Sequence, residues 1–225
     1  MFKIGNITLD HNQVVIMAVL NVSPESFFSE SVKISDADIE EFALKAVKDG
    51  AKIIDVGGMS TAPYKNTFVS QEVEIERVKR VMNVLKSLSL NAEISIDTQR
   101  SKVMEIALNM GATIVNDVSG FSDPNSLKVA KDHSASVIAV AHGIPNVKIE
   151  PPQYVIKSLD ETVNKVINAG IDEKSIVIDP AIGFIRPAWI DSSEWDISIL
   201  SNLSEIKFYF NKPLLIGVSR KSFIR

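Results

Sequence analysis

Seven short aliphatic runs recur along this chain, each closing on a polar residue or glycine, and six long connectors separate them. Val14–Leu20 leads into Asn21, Lys52–Val56 into Gly57 and Gly58, and Glu93–Ile96 into Asp97. Thr113–Val115 leads into Asn116 and Asp117, Ser136–Ala141 into His142, and Ser175–Ile178 into Asp179. The last run, Pro213–Val218, reaches Ser219, Arg220 and Lys221. Near-continuous Val, Ile and Leu suit parallel strands covered on both faces. Polar residues gathered at the carboxyl ends of such strands mark the active face of an α/β barrel.

The connectors read as helices. Ser35–Asp49 begins on a capping Ser and stops at Gly50, with Ile39, Phe42, Ala43, Ala46 and Val47 on one face. Ser70–Leu88 repeats the pattern with a charged outer face. Ser101–Met110 ends at Gly111, and Pro124–His133, Ser158–Ala169 and Ser192–Phe208 supply three more. Phe2–Ile4 and Ile7–Leu9 flank Gly5-Asn6, a dipeptide suited to a tight hairpin. Alternating strands and helices predict βαβ units and a parallel sheet. A doubly wound dinucleotide fold would carry a glycine-rich turn opening an early helix. Gly57-Gly58 is followed instead by Met59-Ser60-Thr61. The expectation is therefore a single domain over residues 1–225: a TIM (β/α)8-type barrel preceded by a β-hairpin, its chain ending after the seventh strand and lacking the last βα unit.

Composition narrows the function. At 225 residues and 45% hydrophobic content, one large core can be buried. The net charge of −4 has both signs interspersed, so nothing argues for nucleic acid. The chain has no Cys, which excludes disulfides and thiolate metal sites. No secretory leader or membrane-length apolar run is visible, so a cytoplasmic protein is expected, with no membrane partner.

Asp97, Asn116, Asp179 and Lys221 each stand at or beyond the end of a predicted strand and should converge on one mouth. A carboxylate buried without a partner costs several kcal/mol after relaxation, on the order of magnitude known for isolated ions. A ligand with a guanidine-like edge satisfies such a group through two parallel charge-assisted bonds. The 2-amino-N3 edge of a pterin is one. The plainer alternative, strand caps and loop partners, weakens when four strand ends agree.

VIMAVLNVSPESF, KIIDVGGMSTAP, ISIDTQRSKVMEIALNMGATIVNDVSG, VIDPAIGFIR and PLLIGVSRKSF, taken in this order, resemble the successive motifs of dihydropteroate synthase. The resemblance covers nearly the whole chain, and SRKSF separates it from related pterin-dependent methyltransferases. It implies a transferase joining a dihydropterin-methyl diphosphate to p-aminobenzoate or a related arylamine, with pyrophosphate released. Carried over, Asp97, Asn116, Asp179 and Lys221 hold the pterin, with Asp97 and Lys221 as the catalytic pair. Thr61, Pro63, Phe184 and Ser219 form the arylamine site, and Asn21 contacts Mg2+ on the diphosphate. Family members commonly form homodimers. Two alternatives remain: a methyltetrahydrofolate-type methyltransferase, and a pterin-binding protein with impaired catalysis.

Several positions depart from the family pattern. Ala62 stands where the family has Arg, with Tyr64 and Lys65 after it, and Phe28-Ser29-Glu30 replaces an Asp-Gly-Gly loop. Ala181 stands at a usual Gly, and Arg186 near a usual Lys. His142 can line the pterin pocket or serve its loop, whereas His11 and His133 are expected in solvent. Met82, Met104 and Met110 read as core. Trp189 and Trp195 could cover the barrel rim. Asp117 should point away from the lumen and make a structural hydrogen bond.

Overall fold

The computed structural model describes residues 1–10, 13–23, 35–60, 69–219 and 221. An antiparallel hairpin of β1 (Phe2–Ile4) and β2 (Ile7–Leu9) precedes the sheet, turning at Gly5 with φ 57°. Six parallel strands follow: β3 (Ile16–Asn21), β4 (Ala51–Gly57), β5 (Glu93–Asp97), β6 (Ile114–Asp117), β7 (Ser136–Val140) and β8 (Ile176–Asp179). Each pairs with the next in the chain, so the order never reverses. A doubly wound sheet must reverse at a switch point. This one does not, and it curls as a barrel wall.

Helices α1 (Asp36–Lys48), α2 (Gln71–Ser87), α3 (Ser101–Asn109) and α4 (Ser126–Asp132) cover the outside. The Ser35 hydroxyl accepts from the Asp38 N–H, and the Asp38 carboxylate accepts in return from the Ser35 N–H. That reciprocal cap satisfies two donors that a bare helix start would leave empty. Ser70 caps α2 in the simpler way.

Two helices differ from expectation. α5 runs Pro151–Asn168, seven residues longer at its start than the periodicity from Ser158 suggests. Pro151 and Pro152 occupy its first turn, where a missing N–H costs nothing. The segment expected as one helix over Ser192–Phe208 is two, α6 (Ser192–Ser201) and α7 (Leu203–Phe210). Between them the Asn202 side chain donates to the Ser198 carbonyl at 2.8 Å, and its backbone leaves the helical region. The run Pro213–Val218 joins the sheet through a single parallel bridge, Leu214 to Ile178. Around that bridge Ile178 N–H donates to the Pro213 carbonyl and Leu215 N–H donates to Ile178.

Leu20, Val22, Ile54 and Val56 pack against Ile39, Ala43, Val81 and Leu85 of α1 and α2. A second, larger cluster joins β5–β8 to α3, α5, α6 and α7, with Ile138, Leu159 and Trp195 buried. Burying each such side chain contributes about 1.5–3 kcal/mol. Met82 and Met104 lie inside, Met110 packs at the edge, and His133 is exposed. Trp195 meets Tyr154 and Trp189 edge-on, each at 5.9 Å between ring centres. No helix among the described residues is long and apolar enough to cross a membrane.

The hairpin closes the amino end of the sheet. Gly5 N–H donates to the Ser136 hydroxyl at 2.9 Å, at the start of β7. The Asn6 amide donates to Glu93 at the start of β5, and Thr113 donates to the same carboxylate at 2.6 Å. The opposite end is where the strands deliver their polar residues.

Candidate functional site

Strand register decides which side chains meet. Asn21 pairs with Gly57, Gly57 with Asp97, and Asp97 with Asn116, so these four form one ring of the inner face. Gly57 leaves the floor open: a Cβ there would stand 3.7 Å from both Asn21 Cγ and Asp97 Oδ2. Asp179 ends β8 beside Val140, the last residue of β7. Its Oδ1 accepts from the Ala181 N–H at 2.7 Å, in a turn where Ala181 holds φ 60°.

Asp55 belongs to the same face and was not among the sequence candidates. It sits two residues before Gly57, hence one layer deeper, and is buried. The Asn116 Nδ2 donates to Asp55 Oδ2 at 3.1 Å. Burial pushes the Asp55 carboxyl up to about 6, and Asp179 likewise to about 6. Asp97 is raised well above the ordinary carboxylate range by burial, then by the negative charges of Asp55, Asp117 and Glu74. Three acids share one low-dielectric mouth. Asp55 Oδ1, Asp97 Oδ1 and Asn116 Oδ1 are buried without a hydrogen-bond partner among the described residues. Leaving buried polar atoms unmade costs about 1–3 kcal/mol each, so this mouth is built for a ligand that supplies donors.

Lys221 supplies the positive charge. Its Nζ lies 4.4 Å from the centre of the Phe184 ring, and burial lowers its pKa while Asp179 and Asp196 oppose that shift. Gly183, with φ 79°, makes room for the chain: a Cβ there would fall 2.8 Å from Lys221 Cδ and Nζ. The Gly183 N–H donates to Asp196 Oδ1 of α6 at 2.8 Å, anchoring the loop under the ammonium. Asp196 is thus another residue that sequence spacing alone does not reveal.

The structure brings Asn21, Asp97, Asn116 and Asp179 to one mouth, with Lys221 near Asp179 and Phe184 against Lys221. Ser219 is exposed, two residues from Lys221. Thr61 and Pro63 lie outside the described residues, as do Ala62, Tyr64, Lys65, Phe28, Ser29, Glu30 and His11. Asp117 points away from this ring, and its Oδ1 accepts from the N–H and hydroxyl of Ser119. His142 is engaged by α5: its N–H donates to Ser158, and Nδ1 lies 3.2 Å from the Thr162 hydroxyl.

No group of three or more His, Cys, Asp or Glu able to cage a metal occurs among the described residues. Asn21 Oδ1 accepts from the Ser23 N–H at 3.1 Å and keeps a second lone pair. One neutral oxygen at the mouth fits a hard cation whose other ligands are phosphate oxygens and water, the usual habit of Mg2+.

Comparison with known proteins gives a consistent answer. Residues 17–225 match the family model described as pterin binding enzyme. A dihydropteroate synthase from Clostridium beijerinckii is 36% identical over 215 residues, 93% of this chain and 75% of that protein. A solved dihydropteroate synthase from Clostridium difficile, determined in the presence of pteroic acid, superposes with a TM-score of 0.83 at 33% identity. It aligns with 100% of this chain and 81% of its own. One from Xanthomonas albilineans, in complex with 7,8-dihydropteroate, gives 0.79 at 27% identity, covering 96% of this chain and 76% of that one.

Proposed function

This chain belongs to the pterin-binding enzyme family, and from that membership we propose that it is a transferase of the dihydropteroate synthase type. It condenses 6-hydroxymethyl-7,8-dihydropterin diphosphate with p-aminobenzoate or a related arylamine in folate-type biosynthesis. The bond from the exocyclic carbon to diphosphate oxygen breaks, a carbon–nitrogen bond forms, and the amine sheds one proton as pyrophosphate departs. The reading rests above all on the buried, unpartnered acceptors of Asp97 and Asn116, beside Asp179 and above Asp55 on one face of the sheet.

Asp179 receives the 2-amino and N3 donors, Asn116 and Asp97 take further ring contacts, and Lys221 faces the ring's acceptor side. A neutral acid is a poor partner for such an edge, so binding draws Asp179 toward its ionised form. The buried carboxylates stabilise positive charge as it spreads over the ring, so leaving-group departure can lead bond formation. Phe184, beside Lys221, and Ser219 serve the arylamine together with Thr61 and Pro63. Asn21, through its Oδ1 at the rim, would hold a Mg2+ ion carried by the diphosphate, and that ion would supply charge neutralisation to the leaving group. Exposed Ile197, Phe208 and Tyr209 on α6 and α7 support self-association of the chain.

The direct test supplies dihydropterin-methyl diphosphate with a panel of arylamines and measures pyrophosphate. Release dependent on both substrates is expected with p-aminobenzoate or a close relative. Methyl transfer from methyltetrahydrofolate to a corrinoid partner, without pyrophosphate release, would overturn the assignment.

A further inference from the structure

We infer that Asp55 is a positioning residue that fixes which way round the Asn116 amide stands, making the site selective for a heterocycle with an exocyclic amine. The inference rests on the pterin-condensing reading and goes one layer beneath the residues that reading assigns.

A primary amide has two ends of nearly equal shape and opposite hydrogen-bonding sense. Asn116 is buried, and its neighbour along the register, Asp97, makes no side-chain hydrogen bond to it that would set the orientation of the amide. Asp55 can. Its Oδ2 accepts from Asn116 Nδ2 at 3.1 Å, and an ionised carboxylate only accepts. The NH2 end is therefore drawn down toward β4, and the carbonyl end is turned away. Asn116 Oδ1 is buried with no partner among the described residues. The second hydrogen on Nδ2 also remains for a ligand.

The amide consequently offers one acceptor and one donor side by side. A ring nitrogen adjoining an exocyclic amine, as N1 adjoins the 2-amino group of a pterin, is their complement. A 2-oxo ring places a second acceptor opposite Asn116 Oδ1, and that contact is repulsive. If Asp55 lost its acceptor-only character, the Asn116 amide could rotate and serve the oxo compound instead. Specificity obtained this way is a penalty imposed on the wrong ligand.

The probes are 6-hydroxymethylpterin and its 2-oxo counterpart, 6-hydroxymethyllumazine, titrated calorimetrically into the full chain. Asp55→Asn is isosteric and introduces donors beside Asn116. The parent's preference for the pterin is expected to shrink by about tenfold or more in this variant, the range by which an unpaired buried polar group discriminates. In an Asn116→Ala background the same substitution should leave the preference unchanged, because the two effects are coupled. A packing role would weaken both ligands alike. An equal preference in parent and Asp55→Asn, or an undiminished effect of Asp55→Asn without Asn116, overturns the inference alone. A parent that binds neither compound overturns the pterin reading with it. Asp55→Ser reads the same ratio should Asp55→Asn fail to fold.

Discussion

Two buried polar clusters lie near the carboxyl ends of β4 and β5, and they are built on opposite plans. On the helix side, Glu74 of α2 is wholly enclosed, and both its oxygens are used. Thr98 donates to one at 2.6 Å and Arg100 to the other at 2.6 Å, while Arg100 also donates to the Val69 carbonyl. On the inner side, Asp55 and Asp97 crowd together with Asn116, and each leaves a buried acceptor empty among the described residues. The first cluster satisfies itself and holds structure together. The second remains electrostatically incomplete until something enters. A buried charge on its own says little about role; its remaining hydrogen-bonding capacity says which of the two it serves.

The contrast can be broken by substitution. Glu74→Ala leaves the Arg100 guanidinium without its carboxylate, and unfolding free energy in urea should fall by about 3–5 kcal/mol. A fall below about 1 kcal/mol would place that cluster outside the structural class. Asp179→Asn should do the reverse. Dihydropterin affinity drops by about 2–4 kcal/mol in calorimetry, from poorly matched donors, with no loss of thermal stability. Unweakened binding would remove Asp179 from the pterin contact.

A pH series sharpens the point with a smaller effect. Asp55 and Asp179 sit near 6 in the folded chain against 3.8 for the ordinary group. The folded state thus holds protons that the unfolded chain releases. Their stabilisation is complete below about 3.8 and is lost as pH rises through about 6. Ligand-free melting temperature should accordingly decline between pH 5 and 7, by the equivalent of about 2–3 kcal/mol for the coupled acids. Saturating pterin should flatten the decline. A ligand-free profile rising across that window would contradict the assignment of strain to the inner cluster.

These contrasts also explain what could be read in the amino-acid sequence. Asp97, Asn116 and Asp179 were legible because each terminates or nearly terminates an aliphatic run, where a barrel presents its chemistry. Asp55 escaped because it stands inside its run, and a search confined to strand ends passes over the layer below. Counting back two residues from Gly57 on the same face would have found it. Asp196 could not be found that way, since it reaches Gly183 from a helix. Pro151 and Pro152 disguised the start of α5, because prolines that open a helix resemble prolines that end one. The break at Asn202 depends on one side chain bonding back to Ser198, which hydrophobic spacing does not encode.

The hairpin at the foot of the sheet has a practical meaning. Phe2–Leu9 lies at the base, tied to Ser136 and Glu93, opposite the pole where the strands deliver Asp97, Asn116 and Asp179. An affinity handle or surface tether attached at Met1 would hang from the pole remote from chemistry. Immobilised that way, the protein should admit its small molecules as freely as it does in solution.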